Sequence, residues 1–214
     1  MNIIDLTHTI AEGMPVYPGT EPPLLEGANT YAQDGFRETR LTLYSHTGTH
    51  MDAPAHIFEE RPTLDALQVD RFAGKALVVD CTDLRTGGRV SMERIARPLA
   101  DEADFLLFRF GYDAHWNTDA YFEDYPCISE EVAQYMIESG KKGIGVDVIG
   151  IDPIADRMMP LHKKLLARDM VIVENLCNLD AVGSGLFMFL ALPLKFSNSD
   201  GAPVRAIAMV DDEA

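Results

Sequence analysis

Ile144-Gly-Val-Asp-Val148, Leu161-His-Lys-Lys-Leu-Leu-Ala-Arg168 and Val171-Ile-Val-Glu174 read in turn as an apolar strand, a helix and a second apolar strand. Short β-branched runs bounded by polar residues are the pattern of buried strands. Upstream, Ser129 precedes Glu130 and Glu131, whose charges suit the positive end of a helix. Val132, Tyr135, Met136 and Ser139 then lead to a stop at Gly140. Further back, Ala76 to Cys81 and Phe105 to Phe110 are strand-like, and Ser91 to Arg97 between them predicts a short helix capped by Ser91. The order is β-α-β-α-β, which favours parallel neighbours joined by right-handed crossovers. Downstream, Leu186 to Leu194 and Val204 to Val210 predict a hairpin closed through Asn198-Ser-Asp200-Gly201, so the sheet is mixed. The expectation is an α/β fold: a single domain over 1–214 with a mixed, strongly twisted or barrel-like sheet flanked by helices.

Composition narrows the function. The 214 residues carry 34 acidic against 18 basic side chains, a formal charge of −16, which repels nucleic-acid phosphates and anionic lipid. Neither nucleic acid nor membrane is an expected partner. No apolar run reaches the ~20 residues of a membrane span, and Met1-Asn-Ile-Ile-Asp5 lacks a basic region followed by an apolar one, so a soluble cytoplasmic protein is expected. Cys81, Cys127 and Cys177 form no CxxC pair and read as reduced thiols; Cys81 suits a small buried hydrophobe, while Cys177, three residues after Glu174, is open to a role beside a site.

The chemistry concentrates in His46-Thr-Gly-Thr-His50-Met-Asp52-Ala-Pro-Ala-His56, which holds three of the chain's six histidines and a carboxylate. Neutral imidazole and ionised carboxylate are ligands preferred by Zn²⁺, Mn²⁺ and Fe²⁺. All four residues share one parity, so an extended chain would put them on one face. Thr47, Gly48, Thr49 and Pro54 are poor helix material, and Arg40-Leu-Thr-Leu-Tyr-Ser45 alternates like a half-buried strand. A strand running into a loop is therefore expected, with Gly48 allowing positive φ or a close backbone approach.

Other candidates follow from strand ends, beyond which sites form in open α/β sheets. Glu174 closes an apolar strand, where it either serves a site or pairs with a base such as Arg168, and His162 lies in the first turn of the preceding helix. Glu12 to Gly27 reads as a long loop. In its Met14-Pro-Val-Tyr17-Pro-Gly19 segment, Tyr17 reads equally as a packing residue of a rigid turn or as a substrate-facing wall. His8 and His115 read as structural.

The motif His46-x-Gly48-Thr49-His50-x-Asp52-x-Pro54-x-His56 resembles the signature of the cyclase family of metal-dependent hydrolases, which includes bacterial kynurenine formamidases and isatin hydrolases. Weaker family-like segments are Asp5-Leu-Thr-His8, Tyr17-Pro-Gly19, Gly143-Ile-Gly-Val-Asp147, Ile172-Val-Glu174-Asn-Leu176, Leu179-Asp180, Leu192-Pro-Leu-Lys195 and Pro203-Val-Arg-Ala206. The resemblance implies metal ligation by His46, His50, Asp52, His162 and Glu174, with Asp52 and Glu174 bridging two Zn²⁺; other members use a single Mn²⁺. It also implies acid/base work by His56 and a homodimer or tetramer. A histidine titrating near neutrality suits that work, taking a proton from water and returning it to a leaving nitrogen. The implied substrate is a small amide, formamide or lactam, with N-formylkynurenine first and isatin or a cyclic imide as alternatives. Formamidases usually carry Trp at the position of Tyr17 and differ around Glu174-Asn-Leu-Cys177, which touches the substrate pocket rather than the ligands.

Two readings compete. His50-Met-Asp52 with a distant His162 also fits the facial triad of Fe(II)/2-oxoglutarate oxygenases, but that leaves His46 and Glu174 idle and calls for an all-β scaffold. A non-catalytic metal-binding module leaves His56 unexplained.

Overall fold

The computed structural model describes residues 1–211. Its strands are β1 (Asn2–Asp5), β2 (Leu24–Asn29), β3 (Glu38–Thr42), β4 (His50–Asp52), β5 (Ala73–Asp80), β6 (Arg89–Val90), β7 (Phe105–Arg109), β8 (Cys127–Ile128), β9 (Gly143–Val146), β10 (Val171–Glu174), β11 (Phe187–Pro193) and β12 (Gly201–Val210). The helices are α1 (Tyr31–Asp34), α2 (Arg97–Ala100), α3 (Glu130–Glu138) and α4 (Pro160–Leu166).

Seven strands close into a barrel. Their order is β12-β11-β5-β7-β9-β10-β4, and β4 pairs back onto β12, with β1 added along the outside of β12. β5, β7, β9 and β10 run parallel to one another, as the β-α-β-α-β reading requires, while β11, β12 and β4 complete the ring antiparallel. The barrel-like α/β expectation is met.

Side-chain parity builds two cores. Phe105 and Leu107 of β7 join Met51, Val171, Val173, Phe187, Phe189 and the alanines of β12 inside the ring. Leu106 and Phe108 face outward with Leu77, Ile144, Val146 and Ile172 against Val132 and Met136 of α3 and Leu165 of α4. The inside is crowded where β9 passes: a Cβ on Gly145 would lie 2.7 Å from Leu176 Cδ1, so that strand brings no side chain to the interior there. Helix α3 starts as predicted, with the Ser129 hydroxyl accepting from Val132 N, and it stops before Gly140 at φ +69°.

Three local expectations fail for physical reasons. The segment 40–45 is not a half-buried strand: β3 ends at Thr42 and is exposed at every residue, because it pairs only with β2 and no layer covers the pair. That pairing also takes the end of the 12–27 loop into β2. Residues 91–97 form a 3-10 turn (Met92–Arg94) rather than one helix; Ser91 stands at the capping position without a side-chain bond, and α2 starts afresh at Arg97.

Candidate metal centre

The histidine cluster is brought together by folding rather than by one extended face. Only His50 and Asp52 lie in a strand; His46 precedes β4 in a turn, and His56 ends a 3-10 turn begun by Pro54. β4 pairs antiparallel with β10 so that His50 stands opposite Glu174 and Ile172 opposite Asp52. Met51 and Val173 point into the barrel, which turns His50, Asp52 and Glu174 outward to the ends of the parallel strands. Gly48, with φ +65°, makes the turn that delivers β4.

The inner half of the cluster is buried. His50 Nε2 lies 3.2 Å from Asp52 Oδ1 and 3.5 Å from Glu174 Oε2, and His162 Nε2 lies 3.2 Å from Glu174 Oε1 and 3.7 Å from Asp52 Oδ2. Each imidazole is held from behind. His50 Nδ1 donates to the Gly48 carbonyl at 2.8 Å, and His162 Nδ1 sits 2.7 Å from Asp152 Oδ2. Asp152 also accepts from Leu161 N and His162 N, so it caps α4 and orients His162 together. Ile151 N donates to Glu174 Oε1. Burial alone would lower the His162 pKa, but Asp152 and Glu174 push it up to about 10. Burial alone would raise Asp52, yet His46 and then His50 hold it well below the usual carboxylate range.

The outer half is half-exposed. His46 Nδ1 is 2.7 Å from Asp52 Oδ1 and its Nε2 is 3.1 Å from Asp200 Oδ2; its ring lies over Gly201, where a Cβ would come 2.7 Å from Nε2. The two carboxylates overcome burial and push His46 up to about 10. Asp200, hydrogen-bonded by His46, falls to about 2. The His56 ring lies 4.0 Å from that of His46, with Nδ1 4.0 Å from Asp200 Oδ2, and burial lowers its pKa.

The donor set fits divalent cations. Asp52 and Glu174 are 1% and 4% exposed, and among the described residues no Lys or Arg forms an ion pair with either. Two buried carboxylates need compensating positive charge, and here only titratable imidazoles face them, a demand that divalent ions also meet. The two imidazoles behind them present Nε2 while Nδ1 is occupied, which is how metal-ligating histidines are held. In each of two sets, His46-Asp52-His56 and His50-Asp52-Glu174, the ligand atoms all lie within 4.8 Å of one another, and Asp52 belongs to both.

Every site residue expected from the sequence lines one cavity of about 420 Å³. Pro15, Tyr17, Tyr44, Ile149, Pro153 and Met159 supply apolar wall to it. Tyr17 is 46% exposed, and its hydroxyl donates to Ile154 O at 3.4 Å, so it belongs to the wall rather than to a packed turn. His8 stacks on Trp116, 3.9 Å between centroids, and Cys177 is buried; neither lines the cavity. Sequence reading missed Asp152, Asn175 and Asp200. Asp152 carried a signal, an Asp-Pro shortly ahead of a helix; Asp200 was masked by the turn chemistry around it.

A closed mixed barrel with buried carboxylates and imidazoles at its strand ends defines a protein built around a divalent-metal centre. The chain belongs to the cyclase family of metal-dependent hydrolases: the family model described as putative cyclase matches residues 4–153. The chain is 31% identical to kynurenine formamidase from Bacillus thuringiensis (strain Al Hakam) over 205 residues, 95% of each chain. Among solved structures it resembles isatin hydrolase A from Labrenzia aggregata, with 26% identity, a TM-score of 0.89 and coverage of 99% of this chain and 94% of that one. It also resembles a potential metal-dependent hydrolase with cyclase activity, with 30% identity, a TM-score of 0.77 and coverage of 97% and 96%. Membership in this family removes the oxygenase reading. Among the described residues no helix is long and apolar enough to cross a membrane.

Proposed function

We propose that this chain hydrolyses the formamide of N-formylkynurenine or a close aryl formamide, releasing formate and the arylamine. The observation that carries this reading is the buried Asp52–Glu174 pair, faced by two imidazoles anchored from behind and flanked by a third, His56, at the floor of an apolar-walled cavity. His46, His50, Asp52, His162 and Glu174 would hold two divalent ions, Zn²⁺ first and Mn²⁺ as the alternative, with Asp52 shared between them. The chemistry supplied by such ions is Lewis acidity, which polarises a carbonyl and brings the pKa of water toward neutrality.

The chain's own residues account for the rest. His56, kept neutral by burial, takes a proton from the attacking water and gives it to the leaving nitrogen. Tyr17, Tyr44, Ile149 and Met159 bury an aromatic ring and orient its amide toward the floor. Asp152 and the Gly48 carbonyl keep His162 and His50 in one tautomer each. The exposed β2–β3 pair supports assembly as a homo-oligomer, since an isolated hairpin is marginal in water without a packed face.

The test is elemental analysis of the purified protein, then turnover of N-formylkynurenine, other N-formyl arylamines, isatin and cyclic imides before and after chelation. The reading expects bound Zn²⁺ or Mn²⁺ and chelator-sensitive hydrolysis fastest on N-formylkynurenine. Isatin opening is the second reading, favoured by the close superposition on isatin hydrolase A. A faster rate on isatin would select it, and no chelator-sensitive turnover would sink both.

A further inference from the structure

Directly after Glu174 the chain places a side chain that holds the same backbone carbonyl as His50. Asn175 is 4% exposed, and its Nδ2 donates to the Gly48 carbonyl at 2.8 Å. That carbonyl also accepts from His50 Nδ1 at 2.8 Å, so both its lone pairs are used. Asn175 Nδ2 and His50 Nδ1 are 3.5 Å apart, two donors meeting on one acceptor. On the far side of the amide, Oδ1 accepts from the Tyr121 hydroxyl at 2.7 Å, and Tyr121 is fully buried. An amide turned the other way would set its oxygen against the Gly48 carbonyl and offer His50 Nδ1 a rival acceptor. The Gly48 carbonyl, an acceptor only, opposes that turn, and the tyrosine hydroxyl pins the far side of the amide.

The backbone of Asn175 is equally constrained. Its φ is +56°, a conformation asparagine tolerates better than most residues. Its N donates to Val148 O, and its carbonyl accepts from Thr49 Oγ1, which in turn accepts from His8 N. The two residues before His50 are thereby tied to the end of β10.

We propose that Asn175 is a positioning residue which, locked by Tyr121 and acting through the Gly48 carbonyl, holds His50 in the Nδ1–H tautomer with Nε2 aimed at Asp52 and Glu174. This rests on the reading of His50 as a metal ligand. Partners of this kind behind a ligating histidine change metal affinity by about 10–100-fold when removed.

Two variants test it: Asn175→Gly, which keeps the positive φ and removes the amide, and Tyr121→Phe, which removes one hydroxyl. Zn²⁺ affinity is measured by competition with a chromophoric chelator, and the His50 tautomer is read from long-range ¹H–¹⁵N correlations in ¹⁵N-histidine protein, metal-free and Zn²⁺-loaded. Asn175→Gly is expected to weaken Zn²⁺ by about 10-fold or more and to give His50 a mixture of tautomers. Tyr121→Phe weakens it less, and adding it to Asn175→Gly costs nothing more, because the two act in series. Zn²⁺ affinity within twofold of the parent in both single variants, with His50 still wholly Nδ1–H, overturns the proposal, even if melting temperature falls. His50→Ala separates the underlying assumption: unchanged Zn²⁺ binding there would remove the ligand reading itself.

Discussion

The two halves of the cluster are built differently although Asp52 serves both. In the inner half, His50 and His162 are 5% and 7% exposed as side chains, and each is fixed by a partner behind the ring. In the outer half, His46 and His56 are 23% and 26% exposed, and beyond Asp52 their nearest acidic neighbour, Asp200, is itself 49% exposed. The inner half is made rigid by a backbone carbonyl and a carboxylate that do no chemistry. The outer half is open to solvent and to anything entering the cavity, as a group that exchanges protons with substrate must be.

Substitutions can break this contrast, beginning with the residue common to both halves. Asp52→Asn removes a charge from each ligand set and is expected to abolish bound metal and turnover together, as elemental analysis and formamide hydrolysis would show. If half the metal stays, the two sets do not share Asp52. Next in size is His56→Ala. It should lower kcat by about 10²–10⁴-fold with metal content unchanged, whereas a parallel loss of metal would make His56 a ligand, as its place in the His46-Asp52-His56 set allows.

The inner half is sharpened by Asp152→Asn, which weakens the hold on His162 and should cost about 10–100-fold in metal affinity by chelator competition. Asp200→Asn is the matching change outside. A half-exposed ion pair is worth at most about 1 kcal/mol, so kcat/KM should move by no more than about fivefold. A larger loss would show Asp200 to be as firmly built in as Asp152.

The smallest effect on turnover is expected from Asp147→Asn, outside both halves. Asp147 is fully buried, accepts from Phe110 N and Gly111 N, and is raised by burial from 3.8 to about 7. The folded chain therefore holds a proton that the unfolded chain releases near pH 4, so this group's contribution to stability is greatest in acid and declines as pH rises through 7. Chemical denaturation at pH 5 and pH 8 should show that decline in the parent and a flatter profile in the variant. An unchanged profile would mean that Asp147 is ionised throughout.

How much of this was legible in the sequence follows the same division. Residue type alone exposed His46, His50, Asp52 and His56, since four metal-type ligands within eleven positions are hard to explain otherwise. Glu174 and His162 were legible because parallel strands end at sites, and the run Val171-Ile-Val-Glu174 announces its own end. The supports were not. Asn175 reaches Gly48 across 127 positions and Asp200 reaches His46 across 154, and neither residue differs in type from an ordinary turn asparagine or aspartate. The misread segment at 40–45 teaches the converse: its alternation is real, but alternation indicates burial only where another layer exists to face it.

Strand β12 has a consequence for how the protein is made. It pairs with β1 and β11, and also with β4, closing the ring and carrying Gly201 under His46. A chain emerging from the ribosome has its metal-type residues in solution long before this strand exists, and the ring cannot shut until residues 201–210 have cleared the exit tunnel. Assembly of the centre thus waits on the closing strand, and any ion captured earlier would be held by a chain still lacking that stave.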